Sequence, residues 1–507
     1  MVRRDGDRQR PTGERLVRPA QWVAVALVVS VVVGVGFWSA RSIRRANALA
    51  RLPQTPDLVH APEALRAHLV AADRAAREAG ASVDQIGELC VAYHADLLYD
   101  QADQCYAVVE VLDAGTWRWK YYRALVKGAR GDADAFATML RDVTRRAPDF
   151  GLAWWQLGDA EFKAGHRDLA REAWQRAIAL PEPARPAAPA GTPAPVRVGS
   201  IAAYATLGLA RLALAEGRAD EARASLEPLQ TSAPQFGPAF RLLGSAYAAL
   251  GWSPDAARMI RLADRLPAYD PYVDPFNDHL ARESRSSTFL LQQASAADVT
   301  TNGRWREYLI RRAIEVDPEN KDAPVELAAL LRAERRYDEA LEVLQRYQRE
   351  VPGDYQALAD IGRCLSGLQR YTEAEGVLRR ALDGLDDANT RYDLGLVFDR
   401  TGRVRDAVTE YERALARNPN HRDALNNLAV DLARLERAAE AVRTFEQLLT
   451  IEPDNVEARV NLGILLIAQH RIAEAEAAFR TVLGIDPQNA RAAEGLRATE
   501  GARRHGP

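Results

Sequence analysis

Five polar residues recur at nearly fixed intervals in the C-terminal half of the 507-residue chain. Successive members lie 33 or 34 residues apart, and each directly precedes a leucine or an isoleucine. Carboxylate and amide side chains in such a row can hydrogen-bond the backbone of an extended peptide. Asp and Asn are also favoured in the first turn of a helix, so a solvated helix start explains the same pattern. The members are Glu326, Asp360, Asp393, Asn427 and Asn461, called the inner row below.

The segments that carry the inner row repeat with the same period, which predicts a repeat architecture. In each window a small residue follows the leucine column, an alanine stands twelve residues later, and a larger apolar residue four further on. Apolar residues at i, i+3 or i+4 spacing predict two amphipathic helices joined by a tight turn. The proline in IEPDN and IDPQN cannot continue a helix, so each phrase is expected to be a hinge between repeats. The windows are 321–354, 355–387, 388–421, 422–455 and 456–489.

These columns resemble the tetratricopeptide repeat, with its Trp or Leu, Leu-Gly, Tyr, Ala, Phe and Pro pattern. Windows 151–184 and 237–270 also fit, as Trp154, Gly158 and Trp174 or Phe240 and Gly244 illustrate. The resemblance covers most of residues 83–489, and it implies an all-α, right-handed superhelical solenoid of antiparallel helix pairs. Four windows are more degenerate: 83–116, 117–150, 203–236 and 287–320.

The resemblance also implies a concave groove lined mainly by the first helix of each pair, and hence protein or peptide partners. The phrases NNLAV and NLGIL resemble the asparagine ladder of O-GlcNAc transferases, which adds Asn426 to the inner row as a candidate groove residue. The lysine clamp that other members use for chaperone C-terminal carboxylates is missing, so we do not expect those ligands. The positions where the clamp lysine would fall hold Val325, Ala359, Tyr392 and Asn426.

An uncharged, Val-rich stretch bracketed by Trp22 and Trp38 predicts one transmembrane helix over residues 21–40. Its length suits a bilayer, and its tryptophans suit the two membrane interfaces. A cleaved signal peptide is the alternative, although Trp38 is poorly placed for a small-x-small cleavage site. A buried core helix is a further alternative.

Arginines flank both ends of this stretch, with a small excess before it. The excess favours a cytoplasmic N-terminus. The abundance of Arg and Ala over Lys indicates a GC-rich, bacterial genome. We therefore expect a single-pass protein of a bacterial inner membrane with periplasmic repeats, and the opposite orientation stays open.

Two interruptions divide the repeat array. The stretch PEPARPAAPAGTPAP is rich in proline and alanine and is expected to be a flexible spacer. The stretch DPYVDPFND is predicted to be a proline-punctuated loop. The resulting plan has a basic tail (1–20), the transmembrane helix (21–40), a juxtamembrane linker (41–61), an N-terminal repeat block (62–180), the Pro/Ala-rich linker (181–198), a middle repeat pair (199–270), a loop insertion (271–286), a C-terminal repeat block (287–489), and a capping helix and tail (490–507).

Cys90 and Cys105 fall on the two predicted helices of window 83–116, at similar distances from their turn. They could therefore face each other and, in an oxidising compartment, form a disulfide. Two buried thiols are the commoner outcome for such a pair. Cys364 lies in a first helix and is expected in the core.

The composition excludes several classes of function. A net charge of −3 argues against a nucleic-acid partner, because such proteins usually carry a basic stripe. No catalytic, cofactor or metal motif is found, and the repeats run almost to Pro507, so we expect neither an enzyme nor a cofactor. We expect a membrane-anchored scaffold that binds partners during assembly or biogenesis of an envelope complex. The alternatives are a self-associating structural tether and an accessory subunit of an enzyme complex.

Overall fold

The computed structural model describes residues 42–78, 80–183, 191–196, 198–266, 274–297 and 299–504, with isolated positions between 30 and 40. All secondary structure in these residues is helical. The predicted basic tail and most of the predicted transmembrane helix lie outside the described residues. Among the helices that are described, none is long and apolar enough to cross a membrane.

The chain divides into two compact units, Met1–Asp317 and Pro318–Pro507. Residues 42–49 of the first unit are helical and precede its labelled helices. These are α1 (Glu63–Arg77), α2 (Val83–Ala95), α3 (Tyr99–Leu112), α4 (Arg118–Ala129), α5 (Ala133–Arg146), α6 (Gly151–Lys163), α7 (Arg167–Ala179), α8 (Ile201–Ala215), α9 (Ala219–Leu226), α10 (Leu229–Ser232), α11 (Gly237–Ala249), α12 (Ser253–Ala263), α13 (Pro275–Glu283), α14 (Ser287–Ala296) and α15 (Val299–Val316).

The second unit consists of five helix pairs and a final helix, as the repeat windows predict. Its helices are α16 (Asp322–Ala333), α17 (Tyr337–Glu350), α18 (Tyr355–Gly367), α19 (Tyr371–Leu382), α20 (Ala388–Arg400), α21 (Val404–Arg417), α22 (Arg422–Arg434), α23 (Ala438–Ile451), α24 (Val456–Ala468), α25 (Ile472–Ile485) and α26 (Ala490–Arg504).

The small-residue column lets the two helices of a pair approach closely. A Cβ atom added to Gly463 on α24 would lie 2.7 Å from the ring of Phe479 on α25. A Cβ atom added to Gly158 on α6 would lie 2.5 Å from the ring of Trp174 on α7. Both rings belong to fully buried side chains. The glycines are therefore required by the packing of the second helix and not by an unusual backbone conformation.

The repeated proline phrases end one repeat and start the next. Helix α23 ends at Ile451, two residues before Pro453. Asn455 then caps α24, because its side-chain oxygen accepts a hydrogen bond from the Ala458 N–H at 2.9 Å. Asn489 caps α26 in the same way, at 3.0 Å from the Ala492 nitrogen. The asparagine of each phrase thus satisfies an unpaired N–H group of the next helix.

The predicted loop insertion over residues 271–286 contains a helix, which corrects that prediction. Helix α13 begins at Pro275, where proline is well suited to the first helical position. Asp274 caps it, since a side-chain oxygen accepts a hydrogen bond from the Phe276 N–H at 2.8 Å. Both signals are local in the sequence, but the prolines nearby led us to predict a loop.

The boundary between the units also differs from the predicted plan, in which residues 287–489 form one block. Helices α14 and α15 belong to the first unit. Arg312 on α15 donates hydrogen bonds to the carbonyl oxygens of Ala281 and Ser284, each at 2.7 Å. These bonds connect α15 to the end of α13 and so keep the pair in the first unit.

Cys90 on α2 and Cys105 on α3 are joined in a disulfide, with their Cα atoms 5.3 Å apart. Both cysteines are fully buried. Of the two arrangements that the sequence left open, the structure therefore has the bonded one. Cys364 on α18 is buried and free, and burial raises the pKa of its thiol to about 11.

Candidate functional site

The inner row lies on the first helix of each pair in the second unit. Its five members stand on α16, α18, α20, α22 and α24. Asp360 is buried and the other four are half-buried. The row therefore follows one face of the unit, but its acidic and amide halves have different surroundings.

The acidic half is largely neutralised by arginines. Asp360 accepts a hydrogen bond from Arg363 on its own helix and forms an ion pair with Arg332, at 3.0 Å. Asp393 accepts a hydrogen bond from the Nε atom of Arg363. Burial raises the pKa of the Asp393 carboxyl to about 6, and the Arg363 guanidinium opposes that rise. These two carboxylates are thus committed to internal pairs.

The arginines that pair with Asp360 and Asp393 were not recognised from the sequence. Arg363 lies three residues after Asp360, so both side chains fall on the same helix face. That spacing is a usable signal for the pair within one helix. The contact between Arg363 and Asp393 crosses from α18 to α20, and no local spacing indicates it.

The amide half of the row is hydrogen-bonded to neutral side chains and to one exposed arginine. The Asn427 amide donates to the hydroxyl of Tyr392 at 3.3 Å and accepts from the Asn426 amide at 3.3 Å. The Asn461 oxygen accepts a hydrogen bond from Arg491 at 2.8 Å. A ligand can replace neutral hydrogen bonds at little net cost, whereas breaking a buried ion pair is expensive.

An aliphatic column accompanies the last three residues of the inner row. Leu396, Val430 and Ile464 each follow an inner-row residue by three positions, and so lie on the same helix face. Val430 is 37% exposed and Ile464 is 47% exposed. The column was not predicted from the sequence, although its 34-residue spacing is a usable signal.

A polar cavity of about 600 Å³ lies at the starts of the first helices in the same repeats. Asn426 lines it, whereas its neighbour Asn427 bonds to Tyr392. The other lining residues are mostly polar or charged: Asn389, Asn418, Asn420, His421, Arg422, Asp423, Leu448, Glu452, Asn455 and Glu457.

In the part of the chain that the structure describes, no group of three His, Cys, Asp or Glu side chains could hold a metal ion. Asp274 and His279 are hydrogen-bonded to tyrosines on α4. The Tyr121 hydroxyl donates to Asp274 at 2.7 Å, and the Tyr122 hydroxyl lies 2.6 Å from His279 Nδ1.

Family models of the tetratricopeptide repeat match the second unit and the end of the first. One matches residues 331–394 and 432–499, and another matches residues 306–355 and 392–450. Together with the helix pairs and their packing columns, these matches identify residues 306–499 as a tetratricopeptide repeat array. Proteins of this kind are generally scaffolds for protein–protein interaction.

Several solved structures are similar to this chain over part or most of its length. YrrB, described as a TPR protein with an unusual peptide-binding site, is 21% identical, with 37% of this chain and 97% of that chain covered and a TM-score of 0.33. PilF of Pseudomonas aeruginosa is 18% identical, with 44% and 99% covered and a TM-score of 0.37. The APC/C hetero-tetramer Cut9–Hcn1 is 12% identical, with 86% and 98% covered and a TM-score of 0.37. All three TM-scores lie below 0.5.

Proposed function

We propose that this protein is a membrane-anchored scaffold whose second unit holds an extended peptide segment of a partner protein, during assembly or biogenesis of a bacterial envelope complex. One observation carries the proposal: Asn427 and Asn461 stand beside the exposed Val430 and Ile464 on the same face. An extended peptide presents backbone N–H and C=O groups together with side chains. The amides can hydrogen-bond the peptide backbone, and the aliphatic column can contact the peptide side chains.

The paired carboxylates restrict where such a segment would lie. Asp360 and Asp393 are already bonded to arginines, so a ligand gains little from them. We place the peptide along α22 and α24, where the inner-row residues are amides and the aliphatic column is exposed. The polar cavity lined by Asn426 and Asp423 borders the same helices and extends the surface available to it.

Membrane anchoring and compartment are part of the same proposal. The apolar stretch between Trp22 and Trp38 supports an anchor. The disulfide between Cys90 and Cys105 supports an oxidising compartment, since cytosolic proteins are usually kept reduced. We therefore place the repeats on the periplasmic side of a bacterial inner membrane. A phosphatase that folds only outside the cytoplasm, fused after Pro507, should be active; an inactive, stably expressed fusion would reverse the orientation.

Site-specific photocrosslinking in native membranes tests the peptide site. A photoreactive amino acid at Val430 or Ile464 should give a crosslinked partner, identified by mass spectrometry. The same amino acid at Gln447 or Thr481, exposed residues on the second helices of the same two repeats, should not. Loss of two hydrogen bonds in the folded double variant Asn427→Ala, Asn461→Ala should weaken the adduct about tenfold.

Two other results would change the proposal. Equal adducts from both sets of positions, or adducts unaffected by the double variant, would move binding to another surface. An adduct formed only with a second copy of this chain would favour the self-associating tether.

A further inference from the structure

The first unit has its own version of the inner row. Glu88, Tyr122 and Gln156 lie 34 residues apart on the first helices α2, α4 and α6. Glu88 and Gln156 directly precede Leu89 and Leu157, as the inner-row residues of the second unit precede their leucines. These three residues are called the first-unit row below.

All three residues of the first-unit row contact one segment of the same chain, residues 274–286. The Gln156 amide donates to Asp274 Oδ2 at 3.4 Å. The Tyr122 hydroxyl is hydrogen-bonded to His279 Nδ1 at 2.6 Å. Glu88 lies 3.8 Å from the other ring nitrogen of His279. The segment therefore lies along the row that the repeat pattern assigns to ligands.

Asp274 makes the most specific contact. Its side chain is 5% exposed and accepts hydrogen bonds from the Tyr121 hydroxyl at 2.7 Å and from Gln156. Its other oxygen accepts from the Phe276 N–H and so caps α13. One carboxylate thus both starts the helix and binds the groove.

Phe276 supplies the apolar contact. Its ring centroid lies 4.7 Å from that of Tyr121 and 4.9 Å from that of Tyr122, both in edge-on arrangements. Trp117 and Phe150 complete the aromatic cluster, with centroids 6.0 and 5.9 Å away. Aromatic pairs with these separations are favourable beyond their buried area.

The end of the segment is held by a main-chain contact. Asp96, directly after α2, accepts a hydrogen bond from the Arg285 N–H at 2.7 Å. It also accepts from the Ser284 hydroxyl at 3.3 Å. The segment is thus bound at both ends and in the middle, in the manner of a short helical peptide in a groove.

We propose that the groove of the first unit is a second peptide-binding site, specific for helices that begin with Asp-Pro-Phe, and that Asp274–Ser286 is its built-in occupant. A partner helix with a capping carboxylate, an aromatic residue two positions later and a histidine three further on replaces this occupant. The proposal is independent of the peptide site in the second unit.

Peptide binding to the full-length protein tests this proposal. The probe is a fluorescein-labelled peptide of sequence DPFNDHLARESRS, identical to residues 274–286, followed by fluorescence anisotropy. In the parent protein the tethered copy competes at high effective concentration, so binding should be weak. The variant Asp274→Ala, Phe276→Ala should release the tethered copy and bind the peptide at least tenfold more tightly.

Three controls locate the binding. A peptide with the same two substitutions should not bind the released variant. Adding Tyr121→Phe and Gln156→Ala to the released variant should weaken binding of the original peptide at least tenfold. The substitutions Asn427→Ala and Asn461→Ala should leave it unchanged. A folded released variant that does not bind, or peptide binding indifferent to Tyr121 and Gln156, overturns the proposal.

Amide hydrogen exchange on the parent protein covers the case in which the released variant does not fold. A replaceable occupant opens before the repeats unfold, so amides of α13 should exchange at least tenfold faster than those of α4 and α6. Exchange of α13 at the same rate as α4 and α6 would make it a permanent part of the fold, and the proposal would fail.

Discussion

The inner row of the second unit and the first-unit row occupy the same place in the repeat, yet they contact different groups. In the first unit, Tyr122 and Gln156 bind a helix of the same chain. In the second, Asn427 and Asn461 have tyrosine, asparagine and arginine partners from the second unit itself. The repeat therefore defines which side chains face a ligand, whereas residues outside the repeat decide what lies against them.

The chemistry of the two rows differs accordingly. The first-unit row is surrounded by aromatic rings and receives a buried carboxylate, Asp274. The half of the inner row that we assign to ligands combines amides with aliphatic side chains. Rings and hydroxyl donors suit a capped helix with an aromatic residue, and amides suit an extended backbone. The comparison thus predicts two ligands of different conformation, and each prediction below affects one unit more than the other.

Breaking the disulfide should have the largest effect on the free energy of unfolding, and it should affect only the first unit. The bond closes a loop with a sequence separation of 15, for which the expected stabilisation is about 3 kcal/mol. The variant Cys90→Ala, Cys105→Ala should lose about that much free energy of unfolding. All nine tryptophans precede residue 318, so tryptophan fluorescence reports the first unit alone. An unchanged fluorescence transition would show that the cysteines are not bonded in the protein.

Filling the space beside the packed rings should destabilise each unit separately. Gly158→Val and Gly463→Val would force a side chain into Trp174 or Phe479, at a cost of about 2 to 3 kcal/mol. Gly158→Val should shift the fluorescence transition, and Gly463→Val only the circular dichroism transition of the second unit. Gly376→Ala is the control, because a Cβ atom there meets nothing within 4 Å. Equal shifts of both transitions by either variant would contradict the division into two units.

Acid should weaken the first unit through His94. Burial lowers the pKa of this histidine to about 3, against about 6.5 for an unfolded chain. The folded state keeps the ring neutral, whereas the unfolded chain binds a proton below pH 6.5. The free energy of unfolding is therefore highest above pH 6.5 and decreases as the pH falls towards 3. Between pH 7 and pH 5 the loss is about 2 kcal/mol.

The variant His94→Phe should reduce the difference in fluorescence-detected unfolding free energy between pH 7 and pH 5 by that amount. The exposed His60→Phe serves as its matched control. A pH difference that is the same in His94→Phe and in the parent would assign the acid sensitivity to other groups.

Much of the fold follows from the sequence, because each repeat depends on residues close together in the chain. Leu327, Gly463 and Ala475 have the packing roles that their columns predict. The helix pairs of the second unit follow the windows closely. Local patterns suffice where the contacts that matter are within one helix pair.

Contacts between distant segments could not be predicted in this way. Asp274 meets Gln156 across 118 positions, and nothing in either local sequence indicates the other. Arg363 neutralises Asp393 from a neighbouring repeat, which depends on how two helices are rotated. The inner row was therefore recognised as a row, but the difference between its acidic and amide halves required the structure.

The variant Asn427→Ala, Asn461→Ala should have the smallest effect on stability. It is also the sharpest test of the peptide site in the second unit. Both side chains are half-buried and have neutral or exposed partners, so the free energy of unfolding should change by no more than about 1 kcal/mol. The matched variant Asp393→Ala should cost more, because it leaves the half-buried Arg363 with one carboxylate fewer. Circular dichroism with guanidinium measures both, in the phase not seen by tryptophan fluorescence. If the asparagine variant is the more damaging one, its side chains are structural members of the repeat, and a ligand-binding role for the amide half is wrong.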